Sequence, residues 1–154
     1  MVIDAILLLT LVAYSVIVSQ SFMYILSLKN VQLNLDINAY IQVRKHLNAN
    51  MNSKFRYVTY IALLSNLALV IFMFPTMSSP LFSAAVVGFA GLIVDTSITV
   101  KGNLPINAIM DQWSSENYPK EWAMYRYKWL WLFKYRQIAN VTGFLALLIG
   151  AILR

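Results

Sequence analysis

Residues 57–95 read YVTYIALLSNLALVIFMFPTMSSPLFSAAVVGFAGLIVD, with 38 residues in a row free of formal charge before Asp95. As one α-helix at about 1.5 Å per residue the run would be roughly 57 Å long, nearly twice the ~30 Å hydrocarbon core of a bilayer. One crossing cannot use it all. FPTMSSP at 74–80 supplies the Pro and Ser residues that break a helix and turn a chain. The stretch therefore predicts two membrane-spanning helices joined by a tight hairpin, over about 55–74 and 81–100.

Working outward, a further uncharged run from Ala5 leads to Lys29 and Asn30, which close a first span at about 5–28. Its start, MVIDAILLLT, has Asp4 where a signal peptide carries Lys or Arg, and so reads as an uncleaved helix. The last apolar run, Gln137 to Leu153, reaches spanning length only if its helix begins upstream, which gives a fourth span at about 129–153. With 60% hydrophobic residues, 12% charged residues and a mean hydropathy of +0.64 over 154 residues, no separate soluble domain fits beside these spans. The expected fold class is all-α: an integral membrane four-helix bundle, with residues 1–154 forming a single transmembrane domain. Between spans one and two, Ile37, Tyr40, Ile41, Leu47 and Met51 recur near helical spacing behind Asp36, a good N-cap. This predicts an amphipathic surface helix.

The net charge of +6 follows the same plan. Lys29, Arg44, Lys45, Lys54 and Arg56 lie in or beside the first connection. Lys101, Lys120, Arg126, Lys128, Lys134 and Arg136 lie in or beside the third. The positive-inside rule then puts both long connections in the cytoplasm, with the termini and the hairpin on the outer side. The charge is accounted for by topology and by membrane lipids as partners, and no nucleic acid is implied. The absence of cysteine excludes disulfides, thiolate metal sites and a dithiol relay. One histidine, His46, excludes a bis-histidine haem within one chain. His46 has no acidic neighbour in sequence and reads as a solvated residue. Neither a metal nor an organic cofactor is expected.

Chemistry concentrates in the second half. Arg126, Trp129, Phe133, Arg136 and Asn140 are spaced 3, 4, 3 and 4, one stripe of a helix that enters the membrane. Arg136 lies about 10 Å past the boundary marked by Trp129 to Trp131. An unpaired guanidinium deep in hydrocarbon costs roughly 2.5–3.5 kcal/mol on insertion scales, so a partner is expected. Asp95, near the end of span three, is the acid at matching depth. Thr99 and Asn103 share its helix face. The pair is either a structural tie between spans three and four or the centre of a ligand pocket, and both readings stay open. Ser19, Gln20 and Tyr24 of span one, with Tyr57 and Tyr60 of span two, are the other polar groups at that depth. Ser65 and Asn66 read as an interhelical hydrogen-bonding pair. Trp122, Trp129, Trp131, Tyr125, Tyr127 and Tyr135 read as an interfacial aromatic belt. Gly88 and Gly91, with Ala84, Ala85 and Ala90, give span three a surface for close packing within or between protomers.

Gly102-Asn103-Leu104-Pro105-Ile106-Asn107, then Trp113, then Arg126-x-Lys128-Trp129 with Arg136 ten residues after Arg126, resembles the anthrone oxygenase-like family of small four-helix membrane proteins. Most of these are filed only as a domain of unknown function. Family members carry a G-N-x-P-x-N element after the third helix and R-x-[RK]-W-x3-[HN]-x2-R entering the fourth. Phe133 stands here where many have His or Asn. In the fungal members the resemblance implies oxidation of an anthrone to an anthraquinone by O2, without metal or organic cofactor. Carried onto this chain, it makes Asp95 the base, gives Arg136 and Arg126 the developing negative charge, and has Asn103 and Asn107 orient oxygens. Trp113, Trp129 and Gln20 would line the site of a hydrophobic aromatic ligand. The reading placed first for this chain is a non-catalytic structural or accessory subunit, as a homo-oligomer or within a larger membrane complex, with the Asn, Arg and Trp cluster as a cytoplasmic cap. Phe133 within the polar stripe and the remote His46 are the reasons, and the oxygenase is the alternative.

Overall fold

The computed structural model describes residues 1–154, apart from the side chain at position 52. Six α-helices follow one another: α1 (Val2–Met23), α2 (Lys29–Asn34), α3 (Ile37–Met73), α4 (Pro80–Ile98), α5 (Leu104–Met110) and α6 (Trp122–Ile152). Four helical rods are long and apolar enough to cross a membrane: Val2–Asn34, Ser53–Thr76, Pro80–Met110 and Trp122–Ile152. They run alternately up and down. Both termini and the Phe74–Thr76 turn meet at one end, where Arg154 pairs with Asp4 at 2.7 Å beside Phe72 and Leu81.

Three helix boundaries differ from the sequence expectation, each for a physical reason. Lys29 and Asn30 do not close the first span. A π-helical turn at Tyr24–Leu28 carries the helix on to Asn34, because charge alone does not stop a helix that lacks Gly or Pro. The amphipathic segment forms behind Asp36, whose carboxylate accepts the backbone N–H groups of Asn38 and Ala39 at 2.8 and 3.0 Å. It then runs without a break into span two as one 37-residue helix, since no Gly or Pro lies between Ile37 and Met73. Span three likewise continues through Gly102 and Pro105. Proline cannot donate to a carbonyl four residues back and its ring crowds that carbonyl; the wider π-helical turn at Thr99–Asn103 sits just before it.

The buried side of α6 carries the expected stripe and prolongs it: Arg126, Trp129, Phe133, Arg136, Asn140, Gly143, Leu147 and Gly150. Toward the terminal end this stripe meets α4 at close range. Gly88 faces Leu147, and Gly143 lies against the Cα of Gly88. The hydroxyl of Tyr14, from α1, donates to the carbonyl of Gly88 at 3.3 Å. A Cβ on Gly91 would stand 2.7 Å from the carbonyl oxygen of Ala139, so the backbones need glycine to come this close. Asn66 is fully buried; in its satisfied orientation it donates to the Ala85 carbonyl at 3.0 Å and accepts from the Phe89 N–H at 3.1 Å. Ser65 bonds only within its own helix, to the carbonyl of Ala62.

Candidate functional site

Toward the end with the long connections, the stripe turns polar and aromatic. Asp95 of α4 and Arg136 of α6 are both buried, and Arg136 Nε donates to Asp95 Oδ1 at 2.6 Å. Arg136 Nη1 also reaches Asn103 Oδ1 at 3.4 Å, while the Asn103 amide nitrogen donates to the Trp129 carbonyl at 3.1 Å. Asn103 is thereby spent on holding the pair in register. One turn further along, the Asn107 side-chain oxygen accepts from Trp129 Nε1 at 2.9 Å and from Arg44 Nη2 at 2.6 Å. The Arg44 guanidinium lies over the Trp129 ring at 4.1 Å, and the same indole stacks on Phe133 at 5.0 Å. Phe133 in turn lies 5.0 Å under the Arg136 guanidinium and 4.5 Å from the ring of Tyr24. An aromatic residue at 133 thus continues a stack in which two rings, Trp129 and Phe133, lie between the guanidinium groups of Arg44 and Arg136.

Asp95, Arg136, Asn107, Trp129, Arg44 and Tyr24 wall a half-open cavity of about 290 Å³ between α1, α3, α4 and α6. Ligand pockets start near this size, at about 300 Å³. Asp95, Arg136, Asn107, Trp129 and Gln20, expected at one site, all line it. Tyr24 and Tyr60 line it as well, whereas Ser19 and Tyr57 do not.

Three expected site residues stand elsewhere. Asn103 sits behind Arg136. Arg126 donates from Nη1 to the carbonyls of Gln32 at 2.9 Å and Leu35 at 3.1 Å. The helix ending at Asn34 leaves those carbonyls without helical partners, and Arg126 caps them between the rings of Trp122 and Tyr40. Trp113 packs edge-on to Tyr125 at 5.5 Å, beneath α5. Trp129, read also as part of an interfacial belt, is only 3% exposed and belongs to the cavity wall, while Trp131 and Tyr127 are 58% exposed.

The residue that sequence reading passed over is Arg44. Counted among the topology-setting charges, it is 6% exposed and takes part in none of the ion pairs among the described residues. Its signal was its place: four residues after Tyr40 and three before Leu47, a cation in the middle of an apolar stripe. With Arg136 and the exposed Arg56 it gives the cavity three guanidinium groups against the one carboxylate of Asp95. Two buried polar atoms of lining residues, Arg44 Nε and Thr96 Oγ1, have no partner among the described residues. Outside the spans, burial pushes the Tyr40 phenol up to about 12, so it stays a neutral donor, and it points at the Met110 sulfur at 3.6 Å. Among the described residues no three His, Asp or Glu side chains gather in a metal-binding arrangement.

Compared with protein-family models, curated proteins and solved structures, the chain matches none.

Proposed function

We propose that this multi-pass membrane protein binds a flat, hydrophobic aromatic molecule carrying an acidic hydroxyl or carbonyl group. The observation that carries the reading is the cavity itself, which holds one buried guanidinium, that of Arg44, beyond the Asp95–Arg136 pair and over an indole face. An anionic oxygen would take the guanidinium groups of Arg44 and Arg136, which line the cavity; the ring system would lie against Trp129 and the apolar stems of α3. The long connections, and so the mouth of the cavity, belong on the cytoplasmic side by their Lys and Arg content.

The chemistry such a site supports is the one the resemblance suggests, oxidation of an anthrone-like substrate by O2. Among the described residues, hydrogen bonds reach only Oδ1 of Asp95, leaving Oδ2 to remove an acidic C–H proton. The guanidinium groups would stabilise the resulting enolate. The electron-rich anion then reduces O2; one oxygen atom becomes the new carbonyl and the other leaves as water. Arg44 fills the electrostatic role first assigned to Arg126.

A second reading has its own support. The Asp95, Arg136, Asn103 and Trp129 chain is already hydrogen-bonded end to end, as expected of a tie in a structural or accessory subunit, alone or as a homo-oligomer.

Titrating the purified protein in lipid nanodiscs with anthrone and anthraquinone, while following tryptophan fluorescence and O2 uptake, separates the readings. Saturable quenching that is lost in Trp129→Phe and weakened at least about tenfold in Arg44→Gln is expected. Catalysed O2 consumption with anthrone would establish the enzyme. Quenching that never saturates, or that Trp129→Phe and Arg44→Gln leave unchanged, would leave the structural tie.

A further inference from the structure

A second hollow, larger than this cavity, is a groove of about 1090 Å³ on the outer face between α6 and the Tyr24–Asn34 extension of the first span. From the groove, we propose that it holds one acyl chain of an anionic phospholipid, with the phosphate seated among Lys29, Lys128 and Lys134.

The wall that α6 gives to the groove is a second stripe beside the buried one: Tyr127, Trp131, Lys134, Ile138 and Val141, spaced 4, 3, 4 and 3. Its chemistry is ordered along the helix. Tyr127 and Trp131 are each 58% exposed, as aromatic residues at a headgroup boundary are. Lys134 follows, then Gln137, whose amide nitrogen is turned to the Ser21 carbonyl at 3.1 Å, and then the aliphatic and hydroxyl side chains of Ile138, Val141 and Thr142. Helical side chains lean toward the N-terminus, so the Lys134 ammonium reaches back to the level of Lys128, and Lys29 approaches from α2 across the groove. From Lys134 to Thr142 the rise is about 12 Å, close to the ~15 Å depth of one leaflet of a ~30 Å core. The groove is thus as deep as one chain of one leaflet.

Charge complementarity selects the occupant. Three lysines line the groove with no carboxylate among its lining residues, and none of the three takes part in an ion pair among the described residues. A zwitterionic headgroup offers its phosphate together with a cation that these lysines repel; an anionic headgroup offers the phosphate alone. The site does not depend on the ligand cavity, from which the rings of Tyr24 and Phe133 divide it.

The test uses the full chain, equilibrated in mixed micelles with equal amounts of phosphatidylglycerol and phosphatidylcholine and read by native mass spectrometry. One retained phosphatidylglycerol per chain is expected, preferred at least about tenfold over phosphatidylcholine. Lys29→Gln, Lys128→Gln and Lys134→Gln together should abolish the preference, while Lys45→Gln, Lys54→Gln and Lys120→Gln, which remove equal charge elsewhere, should keep it. Val141→Trp, which fills the chain end of the groove and leaves the lysines intact, should lower retention of phosphatidylglycerol by a similar factor. Equal retention of the two lipids, equal loss in both lysine triples, or wild-type retention in Val141→Trp would each overturn the proposal.

Discussion

Near the termini, α4 and α6 meet through Gly88, Gly143 and Gly150, with backbones almost in contact and Tyr14 and Asn66 supplying the few polar bonds. Near the long connections the same two helices meet through Asp95, Arg136 and Asn103, and a cavity opens beside them. One half is held by shape and the other by charge. In hydrocarbon the apolar effect does not drive helices together, so the glycine contact supplies association. The ionic contact fixes register and leaves polar atoms over for a ligand.

The contrast breaks most sharply at Asp95. Asp95→Ala leaves Arg136 buried without a counter-ion, and a loss of about 3–5 kcal/mol is expected, read as a large drop in thermal midpoint in detergent. The double change Asp95→Leu with Arg136→Leu should recover most of that stability while removing ligand binding. A double variant as unstable as Asp95→Ala would show that the ionic half also supplies association. In the other half, Gly91→Ala pushes a methyl group against the fixed Ala139 carbonyl and should cost about 1–3 kcal/mol with ligand affinity unchanged. Smallest is Trp129→Phe. It deletes one hydrogen bond to Asn107, which Arg44 still satisfies, so about 1 kcal/mol of stability is expected to go, together with the fluorescence response to ligand.

The ionic half was the more legible of the two in sequence. A guanidinium placed deep in an apolar run demands an acid, and Asp95 was the one acidic residue at that depth. The α6 stripe was legible because its period holds across residue types, from Arg126 to Asn140. The helix boundaries of α3 were not. KHLNANMNSK has the polarity of a connection, and only its lack of Gly and Pro hints that the helix never stops. Neither π-helical turn leaves a mark in composition; each is a local answer to packing, one before Pro105 and one where Tyr24 must reach the Trp129 and Phe133 rings. Arg44 was hidden for a related reason. Counting charges by segment sets topology, whereas only the helix face shows that this cation points inward.

The unbroken α3 braces the bundle. Its 37 residues are about 55 Å long, so a crossing of ~30 Å leaves an arm of comparable size beyond the hydrocarbon. That arm carries Arg44 and Asn48, which grip Asn107 and Asp111. Because no break in the helix separates arm from span, those two contacts tie span two rigidly to α5, and through Asn107 to the Trp129 wall of the cavity.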